Sequence, residues 1–232
     1  MRVVVPLAGP DFVRKDGSLK AEIDLNGEPL LRRALNSRPW AKSLASHDYS
    51  FVLFDSPFTR DFAANALLSW YPDATITFIS SYTRGAALSA LAGLITGKDF
   101  GSPIIVDLAD ILFDSTLDPK LVFQSNTDCG GIALSFHSEN PQYSYLSTDN
   151  LGFLVKAAEK SIISKNASAG TYIFRDLATY LRALAHNLEN EDSQTFQDLF
   201  YVCPLLNGVK DMGKSVLLEP VVNVIDIKMK AT

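Results

Sequence analysis

Met1-Arg2-Val3-Val4-Val5-Pro6-Leu7-Ala8-Gly9 is the stretch on which the fold turns. Three consecutive β-branched valines, stopped by Ala8-Gly9-Pro10, read as a buried strand, Val3–Leu7, that runs into a loop. The apolar run is too short for a secretory leader and is followed at once by Asp11, Arg14, Lys15 and Asp16.

Working outward, helix and strand signals alternate. Gly27-Glu28-Pro29 opens a helix with Leu30, Leu31, Ala34 and Leu35 on one face. Tyr49–Phe54 is a strand, and Thr59–Trp70 a helix with Phe62, Ala66 and Trp70 four apart. Ala74–Ile79 (strand), Gly85–Ile95 (helix) and Pro103–Leu108 (strand) complete the series. Such alternation predicts an α/β fold, a three-layer αβα sandwich around a mixed, mainly parallel sheet. Beyond it, Gly131–Phe136, Tyr143–Ser147 and Phe153–Lys156 read as short antiparallel additions. Thr171–Phe174 is a strand, Asp176–Asn187 a helix, Phe196–Gly208 a helix despite Pro204, and Ser215–Leu218 and Val222–Ile225 are late strands. The polar segment from Asp11 to Leu19 reads as a mobile loop. No repeat or linker interrupts the chain, so 1–232 is expected to form one domain.

The chain has 232 residues and a net charge of −5, which argues against a broad nucleic-acid surface. No run approaches the ~20 apolar residues of a membrane span, so no membrane partner is expected. The two cysteines, Cys129 and Cys203, lie in no CxxC or Cys/His cluster; they read as buried thiols of a reducing cytosol, and the expected location is cytoplasmic. Trp40, Phe200 and Tyr201 are candidates for an interface in a homo-oligomer.

Open α/β sheets bind ligands where their strands end. The first such place is the loop from Ala8 to Lys20, where backbone amides can cradle phosphate oxygens and Lys20 can neutralise them. Asp110, after the Pro103–Leu108 strand, is a hard oxygen ligand suited to Mg²⁺ beside bound phosphates; Asp107 is its competitor. Lys160 can meet a phosphate as a point charge, and Glu159 can accept hydrogen bonds from hydroxyls. Gly85 and Gly170 allow backbone to approach a ligand without a Cβ. There is no GxSxG, Walker-type loop or GxGxxG, and His47, His137 and His186 are scattered.

The order of these blocks resembles that of nucleotidyltransferases that activate sugar 1-phosphates. The opening strand with Leu7-Ala8-Gly9, then Leu19-Lys20 and Asn26-Gly27-Glu28-Pro29-Leu30, is similar to the family's phosphate-binding start. Thr83-Arg84-Gly85-Ala86-Ala87 is similar to its base-contacting stretch, and Val106 to Phe113 to its strand ending in a metal-binding Asp. Glu159-Lys160-Ser161 and Ala169-Gly170-Thr171-Tyr172-Ile173-Phe174 resemble its Glu-Lys-Pro and Gly-x-Tyr-x-Phe segments. The resemblance implies a nucleotide-binding half (1–115) and a sugar- or acceptor-binding half (116–232). It implies transfer of a nucleotidyl group from a nucleoside triphosphate to a sugar 1-phosphate, with pyrophosphate released, in sugar-nucleotide and surface-polysaccharide synthesis. Lys20, Asp110 and Lys160 would be catalytic. Leu7, Ala8, Gly9, Arg14, Lys20, Gly85 and Ala86 would hold the nucleotide; Glu159, Lys160 and Gly170 the acceptor; Asp110 and Asp226 the Mg²⁺.

The chain departs from the family in its opening loop, where Leu19 also stands for the proline before the lysine. Where the family keeps a second glycine and an arginine, this chain has Pro10-Asp11-Phe12: Pro10 has no amide to donate, and Asp11 repels a triphosphate unless a metal intervenes. Two other readings therefore stand: a nucleotide- or sugar-nucleotide-binding protein that has lost catalysis, and a glycosyltransferase-like enzyme using Asp107 and Asp110 together.

Overall fold

The period-2 alternation of a strand sends Val3 and Val5 to one face and Val4 to the other, and all three are fully buried. A strand apolar on both faces needs cover on both, and the fold supplies it. The computed structural model describes residues 1–96 and 99–226. The first strand, β1 (Arg2–Pro6), is followed by α1 (Leu30–Asn36), β2 (Tyr49–Phe54), α2 (Pro57–Phe62), a π-helical turn (Ala63–Leu67), α3 (Leu68–Trp70) and β3 (Thr75–Ile79). Then come α4 (Ala86–Leu94), β4 (Ile104–Asp107), β5 (Ile111–Asp114), α5 (Pro119–Ser125), β6 (Cys129–His137), β7 (Tyr145–Thr148), β8 (Leu154–Ala158) and β9 (Asn166–Phe174). Helices α6 (Leu177–Glu189), α7 (Glu191–Gln194) and α8 (Leu205–Asp211) precede β10 (Ser215–Pro220) and β11 (Val222–Asp226).

The main sheet runs β10-β6-β9-β4-β1-β2-β3, with β7 and β8 attached beside β9. Pairs β4-β1, β1-β2, β2-β3 and β10-β6 are parallel, while β9 is antiparallel to both β4 and β6. The sheet is therefore mixed and mainly parallel, as the strand order in the sequence predicts, and strands from both halves of the chain share it. A separate ribbon pairs β5 with β11 antiparallel. Leu31 and Leu35 of α1, Phe62 of α2 and Phe123 of α5 pack with Val3 and Val5 on one face. Ala90 and Leu94 of α4, Tyr180 of α6 and Leu206 of α8 pack with Val4 on the other. Caps fix the helix starts: Ser56 and Asp176 accept the amides of Thr59 and Thr179, and Pro57 occupies the first turn of α2.

Four expectations need correction. Phe196–Gly208 is not one helix: only Leu205–Asp211 is helical, and 196–199 is a two-residue reverse turn. The helix expected over Thr59–Trp70 contains a π-helical turn. The segment from 11 to 19 is a small hairpin, with Val13 bridged to Leu19 and Phe12 buried edge-on against Phe62. Trp40 and Phe200 are core residues, 3% and 0% exposed, and so offer nothing to an oligomer interface; Tyr201 faces the cavity described below. Strand β5 and helix α5 were not expected, although Asp118-Pro119 is an N-cap followed by a first-turn proline.

Candidate active site

The corner between β4 and β5 is built by a buried ion pair. Arg38 grips Asp107 with two hydrogen bonds, Nε to Oδ2 at 2.6 Å and Nη2 to Oδ1 at 3.0 Å, and gives a third to the Ile111 carbonyl at 3.1 Å. Its guanidinium lies 3.9 Å from the Phe113 ring centroid. Asp107 also accepts the Ala109 amide at 2.8 Å, which holds Ala109 in a left-handed turn (φ +53°). Asp107 is thus consumed inside the protein, and the turn delivers Asp110 to the sheet edge. Opposite it, Gly170 has φ +74°, and a Cβ there would stand 3.2 Å from the Asp110 carboxylate. The left-handed backbone favours glycine there, and an added Cβ would press on that carboxylate.

Asp110 lines a cavity of about 580 Å³ at the carboxyl ends of β1 and β4. Its walls include Leu7, Ala8, Gly9, Lys20, Gly85, Ala86, Glu159, Lys160 and Gly170, together with Tyr82, Tyr143, Ser144, Tyr172, Tyr201 and Cys203. Lys20 and Asp110, 90 positions apart in the chain, therefore share one cavity. Lys20 is ion-paired with Asp11, one of the three residues that stand where the resemblance leads one to expect a glycine and an arginine. Arg14 is not among the lining residues, and its amide bonds to the Ser18 carbonyl within the hairpin.

At the other end, Ser144 donates a hydrogen bond to the Glu159 carboxylate, and the Ser168 hydroxyl bonds to that of Tyr172 at 2.8 Å. Burial, then the nearby Glu159 charge, pushes the Cys203 thiol far above its ordinary range, so it stays protonated. Asp226 does not line the cavity but accepts a hydrogen bond from Tyr143, which does. Burial first, then that bond and the Asp226 and Asp110 charges, raises the Tyr143 hydroxyl's pKa. Both carboxylates expected to hold metal therefore act on one tyrosine.

The donor chemistry suits Mg²⁺, which takes one or two carboxylates and draws its remaining oxygens from substrate phosphates and water. Among the described residues no three His, Cys, Asp or Glu side chains form a metal-holding group, so this protein would contribute only part of such a shell. The sequence does not mark Tyr143, Ser144, Tyr172, Tyr201 or Cys203 as site residues. Ser144 and Tyr172 lie within or beside segments that were read, but no spacing rule marks a single hydroxyl as cavity-facing.

No family model matches the chain, and no curated protein matches it. Solved structures do. A nucleoside-diphosphate-sugar pyrophosphorylase from Vibrio cholerae RC9 is similar with a TM-score of 0.80 and 22% identity, over 97% of this chain and 94% of that one. A UDP-glucose pyrophosphorylase complexed with UDP-glucose gives 0.66 and 15%, over 95% and 90%. An inositol-1-phosphate CTP transferase from T. maritima gives 0.66 and 16%, over 97% and 86%. At these identities the likeness establishes the fold: this chain has the α/β fold shared by nucleotide-sugar pyrophosphorylases and related nucleotidyltransferases.

Proposed function

We propose that this protein transfers a nucleotidyl group from a nucleoside triphosphate to a sugar 1-phosphate, or a related phosphorylated metabolite, and releases pyrophosphate. The observation that carries the reading is the meeting of Lys20, Asp110 and Lys160 in one cavity at the carboxyl ends of β1 and β4. Fold alone would not carry it.

In this reading the amides of 8–9 and the Lys20 ammonium hold the polyphosphate, with Gly85-Ala86 against the base. Lys160 holds the acceptor phosphate so that one of its oxygens attacks the α-phosphorus in line with the departing pyrophosphate. Glu159, already accepting from Ser144, has oxygen lone pairs for acceptor hydroxyls. Mg²⁺ held by Asp110, with Asp226 acting on the site through Tyr143, would supply positive charge to the phosphates. No covalent intermediate with the protein is required.

One observation favours a second reading, a nucleotide-binding protein without turnover. Lys20 is engaged by Asp11, and Pro10 has no amide for the phosphate cradle. Pyrophosphate release measured with the four nucleoside triphosphates and a panel of sugar 1-phosphates, with and without Mg²⁺, separates the two. Metal-dependent release supports the enzyme, and tight binding with no release supports the binder. Among the described residues no helix is long and apolar enough to cross a membrane; a cytoplasmic location remains part of this proposal.

A further inference from the structure

The segment expected to be helical, 196–203, does something a helix could not. Phe196 and Leu199 bond to each other's backbones, amide to carbonyl, at 3.2 and 3.1 Å, with Gln197 and Asp198 between them. Both of those residues sit in the left-handed region, at φ +53° and +59°. Two consecutive non-glycine residues with positive φ are strained, and strain of this kind persists only where surrounding structure enforces it.

What enforces it touches both ends of the cavity. On one side the Asp198 carbonyl accepts Arg84 Nε at 3.2 Å, Arg84 also pairs with Glu191, and the Phe200 backbone bonds to Arg84 and Ala87 at 2.8 and 3.0 Å. On the other side the Lys160 ammonium lies 5.3 Å from the Phe196 ring centroid and 5.6 Å from that of Tyr201. Lys160 itself has φ +48°, so its backbone too is in the left-handed region. The approach of Lys160 is fixed from behind as well. Asn207 bonds to both the amide and the carbonyl of Ala157, three residues upstream, and reaches Gln194 at 2.8 Å.

We infer that Phe196 and Tyr201 are positioning residues for Lys160: their ring faces hold its ammonium at the acceptor end of the cavity, and the 196–199 turn ties that placement to the Arg84-Gly85 turn at the nucleotide end. The inference deepens the proposed function and rests on its assignment of Lys160 to the acceptor phosphate. Phe196 gives the cleaner test because it is not among the residues lining the cavity and so does not meet the acceptor directly; the Lys160→Ala background separates its action through Lys160 from its action through Tyr201.

Phe196→Leu keeps an apolar side chain and removes the ring. It should raise the acceptor KM about two- to fivefold, the range of one exposed cation–π contact, with kcat and the nucleotide KM unchanged. Phe196→Tyr should restore the wild-type value. In a Lys160→Ala background, Phe196→Leu should add nothing further. A second readout does not depend on turnover. In protein carrying ¹³Cε-lysine, the Lys160 signal, assigned by its loss in Lys160→Arg, should be shifted upfield by the rings and move back downfield in Phe196→Leu. An undiminished effect of Phe196→Leu in the Lys160→Ala background, or an unshifted Lys160 signal in the wild type, overturns the inference. Wild-type acceptor affinity in Lys160→Ala alone would remove that lysine from the proposed reaction and with it the positioning role; the ring shift would then report whether the contact exists apart from the acceptor.

Discussion

Two aspartates three positions apart have opposite fates, and Arg38 decides which is which. Asp107 is 0% exposed and held by a guanidinium that is itself buried, so its charge is spent on the fold. Breaking a buried pair leaves one charge without a partner, which typically costs about 3–5 kcal/mol. Arg38→Met should therefore lower stability by about that much in urea unfolding; a change under about 1 kcal/mol would mean the pair is not what shapes the corner. Asp110→Asn should leave the urea midpoint near wild type and remove the Mg²⁺-dependence of nucleotide binding, while Lys20→Ala should weaken triphosphate binding by about 1–3 kcal/mol in calorimetry. Persistent metal dependence in the first variant, or unchanged affinity in the second, would take that residue out of the site. The sequence placed both aspartates at the strand end but left them in competition. Arg38 lies 69 positions from Asp107, and no local pattern announces which carboxylate a distant arginine will claim.

Local rules served well for elements whose sequence determines them and failed where tertiary contact does. Tyr49–Phe54 forms over the expected span because it is buried between two parallel neighbours. Segment 196–203 fails because its backbone is used elsewhere: Phe200 bonds to Arg84 and Ala87 rather than to its own helix. Gly85 makes that docking possible. It has φ +107°, and a Cβ there would come within 2.3 Å of the Phe200 carbonyl oxygen, a backbone atom with little freedom to yield. Gly85→Ala should destabilise the protein by about 2–4 kcal/mol and weaken nucleotide and acceptor binding together, since the strap formed by the 196–199 turn reaches both ends. Loss of nucleotide affinity alone, measured by calorimetry, would show that the strap does not connect them. The sequence reads Gly85 and Gly170 as places where backbone approaches a ligand without a Cβ. The immediate neighbours turned out to be protein, Phe200 and the Asp110 carboxylate, rather than ligand alone.

For the molecule as a whole, surface carboxylates contribute, modestly because water screens them, to the loss of stability in acid. Hydrogen bonds from Arg60 to Asp55, from Ser102 to Asp99 and from Arg84 to Glu191 hold each of these carboxyls below its ordinary range. Their folded values lie below their unfolded ones, so the stability they contribute is complete above the unfolded values, about pH 4, and is lost as the pH falls through the folded ones. The urea midpoint should decline below about pH 4; a midpoint that held or rose there would contradict the assignment. The sandwich was legible in outline because alternation of strand and helix is a long-range regularity written in short-range signals. The cavity was legible only as a list of strand ends. That these ends converge follows from β1 lying beside β4 in a parallel sheet, which brings the 7–20 loop and the 108–110 turn to one edge. The account's central claim is that this edge handles a triphosphate and a phosphorylated acceptor together. Pyrophosphate release by the wild-type protein, with nucleoside triphosphate, sugar 1-phosphates and Mg²⁺, tests it most directly. The account predicts release that requires all three and falls at least tenfold in Asp110→Asn, the loss of more than about 1.4 kcal/mol of transition-state stabilisation. Release that is unaltered in Asp110→Asn, or no release with any triphosphate and acceptor, would contradict it.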